Sequence, residues 1–103
     1  MQKEITAVVF SFIKPEFVKN AIQIYQEAID NYYKLEGCRG IQLFRKVNQS
    51  NEFMVISKWR SVEAREKYMN SEFHKNSIEK LKPYRERDPI MNNYEEYIEL
   101  NDK

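Results

Sequence analysis

His74 and Trp59 are the only histidine and the only tryptophan of this chain, and Tyr68 lies between them. A histidine titrates near about pH 6.5, so it is the side chain best suited to taking and returning a proton at neutral pH. His74 stands at helical spacing with Ile78 and Leu81, which turns it toward the interior. Trp59 could wall an aromatic ligand, and Tyr68 could donate a hydrogen bond to a ligand oxygen. Ser11 and Ser57 each interrupt an apolar strand face and could polarise a bound group. Every one of these side chains also has a structural reading. His74 would be a hydrogen-bonded boundary residue near a helix N-terminus. Trp59 would anchor a strand to helices, Tyr68 would pack at their seam with its hydroxyl in water, and the serines would bond nearby backbone. Cys38 stands between two glycines with no second cysteine and is read as structural. No spacing of metal ligands and no phosphate-binding loop is visible.

The elements that must position these residues follow from periodicity. Phe53 to Trp59 alternates and is rich in β-formers, so it predicts a strand with Phe53, Val55, Ser57 and Trp59 on one face and Met54 and Ile56 on the other. Ser61 and Ser71 have the character of N-caps, which predicts helices from about Val62 to Asn70 and from Glu72 to about Lys82, closed by Pro83. Ile5 to Ile13 predicts a strand apolar on both faces. Lys14-Pro15-Glu16 starts a helix, and its two apolar stripes run as far as Tyr33 and Leu35 until Gly37 stops it. Gly40 opens a strand from Ile41 to Val47. Asn48-Gln49-Ser50-Asn51 is turn chemistry that makes a hairpin with the strand after it. Tyr84 to Asn93, with its arginines and Pro89, is read as a long loop, and Tyr94 to Leu100 as a last strand. The charged runs Lys58–Lys67 and Lys75–Arg87 are read as solvated faces.

This order, β-α-β-β-α-α-β, gives an α+β fold: a ferredoxin-like four-stranded antiparallel sheet with helices on one face. A chain of 103 residues makes a single domain, residues 1–103. Strands that are apolar on both faces leave one face of the sheet uncovered, and a patch of that kind exceeds what a soluble monomer ordinarily exposes. The expectation is a homodimer, two copies clasped sheet to sheet into an α/β barrel.

Composition removes several classes of function. The formal net charge is +1, with acidic and basic residues interspersed, which excludes the basic stripe of a nucleic-acid binder. The longest apolar run, Ala7 to Ile13, is too short to span a membrane. The start, Met1-Gln2-Lys3-Glu4, lacks the shape of a signal peptide. The expected location is the cytoplasm, with no membrane and no nucleic-acid partner.

Two segments, Gly37 to Val47 and Phe53 to Lys75, resemble the antibiotic biosynthesis monooxygenase family, a branch of the dimeric α/β barrels. The resemblance rests on Gly37 and Gly40 before the second strand and on Trp59 at the end of the third. Ser61, Ala64 and the step Ser71-Glu72-Phe73-His74 follow, and the Lys14-Pro15-Glu16 helix start is similar. It covers nearly the whole chain and implies a cofactor-independent monooxygenase acting on a small electron-rich aromatic or quinol-like substrate. For that chemistry the candidate catalytic residues are His74, Trp59 and Tyr68, with Ser57, Ser11, Phe73 and Ser77 as candidates for binding substrate, and no cofactor or metal is expected. The alternative is a non-catalytic binding or stress-response module that holds a small apolar ligand in the same pocket. Haem-degrading relatives use an Asn on the first strand and a later His; here those positions fall near Val9 or Phe10 and near Ser77, so haem degradation is disfavoured. Many other members carry a His where Tyr68 stands.

Overall fold

The computed structural model describes residues 3–48 and 51–97. Strand β1, Ile5–Ile13, has Ile5, Ala7, Ser11 and Ile13 buried on one face. A 3-10 turn at Pro15–Phe17 leads into helix α1, Val18–Asp30. Strand β2 is Cys38–Arg45 and β3 is Glu52–Trp59. Helix α2, Val62–Met69, and helix α3, Glu72–Leu81, follow, and the last strand, β4, is Arg85–Glu95. The sheet order is β2-β3-β1-β4, with every pair antiparallel. This is the ferredoxin-like arrangement, with β1 and β3, the two strands richest in apolar residues, at its centre.

Local signals account for the element ends. Ser61 accepts a hydrogen bond from the Ala64 amide at 3.1 Å and Ser71 one from the His74 amide at 3.2 Å, so both serines cap helices as their spacing predicts. Gly37 sits at φ +80°, and a Cβ there would lie 2.6 Å from the Ala64 Cβ. It is therefore needed both for its backbone angle and for the close approach of α2.

Three expectations need correction. Helix α1 ends at Asp30 rather than near Leu35; the Asn31 amide and side chain both donate to the Glu27 carbonyl, and a 3-10 turn at Tyr32–Lys34 replaces the last helical turn. Tyr33 consequently leaves the apolar stripe and is exposed. Strand β2 begins at Cys38 and ends at Arg45, before Val47, which is exposed just ahead of Asn48 in the left-handed region. Gln49 and Ser50, the middle of the expected turn, lie outside the described residues, as do Met1 and Gln2 at the start. The largest correction is the segment read as a long loop, which is most of β4. Pro89 is tolerated there because β4 is an edge strand, paired only with β1, and a proline costs an edge little. Of the expected last strand, Tyr94 and Glu95 belong to β4, and residues 98–100 lie outside the described residues.

The helices cover one face of the sheet, and the core beneath them is divided in two. Ile5, Ala7, Trp59 and Ala64 form one cluster; Ile13, Ala21, Phe53 and Leu81 form the other. Between the clusters the paired strand residues are Ala7 with Ser57 and Val9 with Val55. Small side chains there leave the middle of the core unfilled. The opposite face carries Val8, Phe10, Met54 and Ile56 on the central strands, with Phe44, Ile90 and Tyr94 exposed around them. Among the described residues no helix is long and apolar enough to cross a membrane.

Candidate functional site

The gap between the two clusters is a cavity of about 100 Å³, walled by the sheet on one side and by all three α-helices on the other. A single water needs roughly 10–15 Å³ measured this way, so there is room for a small organic molecule. Val9, Leu43 and Val55 form the floor; Ile24, Ile78 and Leu81 close it from the helices. Such a wall, apolar with few polar groups, is what a site for a small hydrophobic ligand requires.

The structure brings together six of the seven residues singled out from the sequence: Ser11, Ser57, Trp59, Tyr68, His74 and Ser77 all line this cavity. Phe73 does not. It packs beside Tyr68 with ring centroids 6.4 Å apart, because one residue along α3 from His74 is about 100° around the helix axis.

Trp59 is fully buried, and its indole N–H donates to Ser57 Oγ at 2.8 Å. That bond satisfies both polar groups and fixes the indole against the end of β3. Tyr68 stacks on Trp59 at 5.0 Å with the planes tilted by 32°, and His74 packs against Tyr68 at 4.9 Å and 59°. Ser71 sets the last of these contacts. Its hydroxyl donates to the Tyr68 carbonyl at 2.6 Å while accepting from the His74 amide. One side chain thus joins the end of α2 to the start of α3 and holds the two rings in their tilted contact.

Electrostatics give these groups distinct states. The His74 imidazole is pushed below its ordinary value, first by burial and then by the guanidiniums of Arg65 and Arg85. It is therefore neutral at pH 7 and free to accept a proton. Burial raises the Tyr68 phenol despite the nearby Arg65 charge, so Tyr68 remains a hydrogen-bond donor. The Cys38 thiol is also raised by burial, which keeps it protonated and unreactive.

Three lining residues escaped the sequence reading. Tyr25, on α1, is hydrogen-bonded through its hydroxyl to Ser11 Oγ, and burial raises its pKa. Its place in an apolar stripe gave no sign of that polar contact. Arg65 is only 6% exposed, so its reading as part of a solvated face is wrong. It lies over the Trp59 and Tyr68 rings at 5.5 and 5.6 Å, and the signal was available: Arg65 precedes Tyr68 by three residues, on the same helix face. Arg85 also turns inward and lines the cavity, contrary to the same reading. Register decides this. Phe10 pairs with Ile90, Phe12 with Arg87 and Ile13 with Arg85, with two irregularities between them. Each inserts one residue into β4 and re-aims the side chains beyond it. Arg87 consequently lies outside over Phe12, its guanidinium carbon 3.7 Å from the ring centre, and Arg85 lies inside.

Comparison with solved structures shows the fold alone, since all identities are low. A conserved protein from Methanosarcina mazei Go1 is 18% identical with TM-score 0.86, covering 93% of this chain and 95% of that one. A putative antibiotic biosynthesis monooxygenase from Caulobacter crescentus CB15 is 16% identical with TM-score 0.85, covering 94% and 92%. SnoaB, a cofactor-independent oxygenase from Streptomyces nogalater, is 12% identical with TM-score 0.84, covering 97% and 99%. No curated protein matches the chain. The family model for antibiotic biosynthesis monooxygenases, however, matches residues 4–80, which takes in β1, the glycine turn at Gly37, Trp59 and the helices that carry Tyr68 and His74. Sequence pattern and cavity therefore agree: the chain belongs to the antibiotic biosynthesis monooxygenase family.

Proposed function

We propose that this protein is a cofactor-independent monooxygenase for a small electron-rich aromatic or quinol-like substrate, acting as a cytoplasmic homodimer. The observation that carries the reading is the neutral His74 imidazole facing an apolar cavity walled by Trp59 and Tyr68. SnoaB, similar in fold over nearly its whole length, is a cofactor-independent oxygenase. Such chemistry asks little of a protein: a dry cleft, a base near working pH and a donor that orients the substrate oxygen.

In this reading the substrate ring lies against Trp59, and His74 takes a proton from a ring carbon that bears two hydrogens in its keto tautomer. The resulting carbanion reduces O₂ and forms a carbon–oxygen bond, giving a peroxide. His74 returns its proton to the outer oxygen. The O–O bond then breaks as the second hydrogen leaves the carbon, so one oxygen stays as a carbonyl and the other departs as water. Tyr68 and Ser57 orient the substrate, and Ser11 and Ser77 border it.

Oxygen uptake with a panel of quinols and phenols tests the proposal. Turnover of at least one, lost in His74→Ala, supports it. Ligand binding without turnover of any substrate would instead make the protein a binding module.

A further inference from the structure

Two guanidiniums reach the cavity, Arg65 from α2 and Arg85 from β4, and among the described residues no aspartate or glutamate lines the space. Among the described residues neither arginine side chain makes an ion pair. The Nε of Arg85 is buried without a hydrogen-bond partner. Arg65, 6% exposed, has the rings of Trp59 and Tyr68 beside it. Those rings engage the guanidinium without supplying an acceptor for its N–H groups. A buried cation with no counter-charge is costly, and a second, half-buried one in the same cavity adds repulsion. An arginine holds its proton under all ordinary conditions, so the strain is not relieved by neutralisation. An anionic ligand in the cavity would supply that counter-charge.

The rest of the wall says what kind of anion. Val9, Val55, Ile78 and Leu81 would be left uncovered by an inorganic ion, and filling that surface takes an apolar body. We infer that the ligand of this cavity is an aromatic acid, its ring against Trp59 and its carboxylate held by Arg65 and Arg85. A guanidinium fork matches a carboxylate in geometry and charge. The inference rests on the proposal that this cavity takes the aromatic substrate, and it narrows that substrate to one with an acidic substituent. The same two arginines face His74, whose pKa is lowered first by burial and then by their charges.

Trp59, the single tryptophan, lines the cavity and reports its occupation by fluorescence. The test uses matched pairs of one ring size at a time: 2,5-dihydroxybenzoate against its methyl ester, and 1,4-dihydroxy-2-naphthoate against its methyl ester. The acid is expected to bind at least about ten-fold more tightly than the ester, as a charged hydrogen bond is worth about that much. Arg85→Gln is expected to remove most of that preference while leaving ester binding unchanged. Arg65→Gln should do the same. Should it fail to fold, Arg85→Gln and the acid–ester comparison on the unaltered protein carry the test. Esters that bind as tightly as the acids overturn the inference, as does a preference that survives in Arg85→Gln, or the failure of both acids to quench Trp59. None of these readouts requires oxygen consumption. Acid-selective binding without turnover would leave the inference standing and remove the monooxygenase reading.

Discussion

At the scale of single residues, His74 ties the fold to its chemistry through one proton. Its folded-state pKa is depressed, chiefly by burial, so the unfolded chain binds the proton more readily. The contribution to stability is intact above the unfolded value of about 6.5 and is lost as pH falls from there through the lower folded value. In the proposed mechanism, activity follows the same group. The profile of kcat/KM against pH is expected to show an acid limb below about 6.5, and His74→Gln should abolish it. In that variant kcat should fall by about 10²–10⁴-fold, the usual worth of a positioned general base; steady-state oxygen uptake checks both. Ser57 acts differently, through Trp59. Ser57→Ala leaves a buried indole N–H without its acceptor, and the expected cost is about 1–3 kcal/mol in urea denaturation, with blue-shifted and altered Trp59 fluorescence. The cluster of His74, Tyr68 and Trp59 was legible in the sequence because all three sit on one short strand–helix–helix run. Tyr25 and Arg85 were not, because a tyrosine in an apolar stripe and an arginine in a charged run carry no mark of the direction they face; the three-residue step from Arg65 to Tyr68 was the one such mark available.

Elements position these residues through their ends rather than their middles. Ser71 closes α2 and caps α3 with one hydroxyl, and the Tyr68–His74 contact depends on that geometry. Gly37 lets α2 approach the start of β2, where any Cβ would overlap Ala64. Gly37→Ala combines a left-handed backbone angle, worth about 1–2 kcal/mol, with overpacking, worth about 1–3 kcal/mol, and is expected to destabilise the fold by about 2–5 kcal/mol. A urea midpoint lowered without a change of slope would check it. The strands show where periodicity succeeds and fails. β1 and β3 lie in the centre of the sheet, each paired with a strand on either side. β4 is an edge with one neighbour, so it accommodates Pro89, charged residues and two register shifts. All of these imitate a loop in the sequence.

Over the whole molecule, the unhelical face of the sheet is the outstanding feature. Val8 pairs across with Ile56 and Phe10 with Met54, and Phe44, Ile90 and Tyr94 stand exposed beside them. A face of that composition is what a two-fold, sheet-to-sheet association would bury. Light scattering is expected to give twice the 12.5 kDa chain mass. Ile56→Glu, a charge near the middle of that face, should shift the protein to the single-chain mass. A protein that stays at one chain mass at micromolar concentration, without bound lipid, would dispose of the homodimer.

By itself the sequence determined the sheet and helices of the core, the two serine caps, the glycine turn and the proximity of Trp59, Tyr68 and His74. These follow from local chemistry: side-chain alternation, capping hydroxyls and short connections act over a few residues and can be read along the chain. Only the tertiary structure decided that the core is divided around a cavity, and that two irregularities in β4 turn Arg87 outward while Arg85 faces inward. Those outcomes depend on the register between strands far apart in sequence. A shift of one residue there reverses the face a side chain occupies, and no pattern within either strand records it.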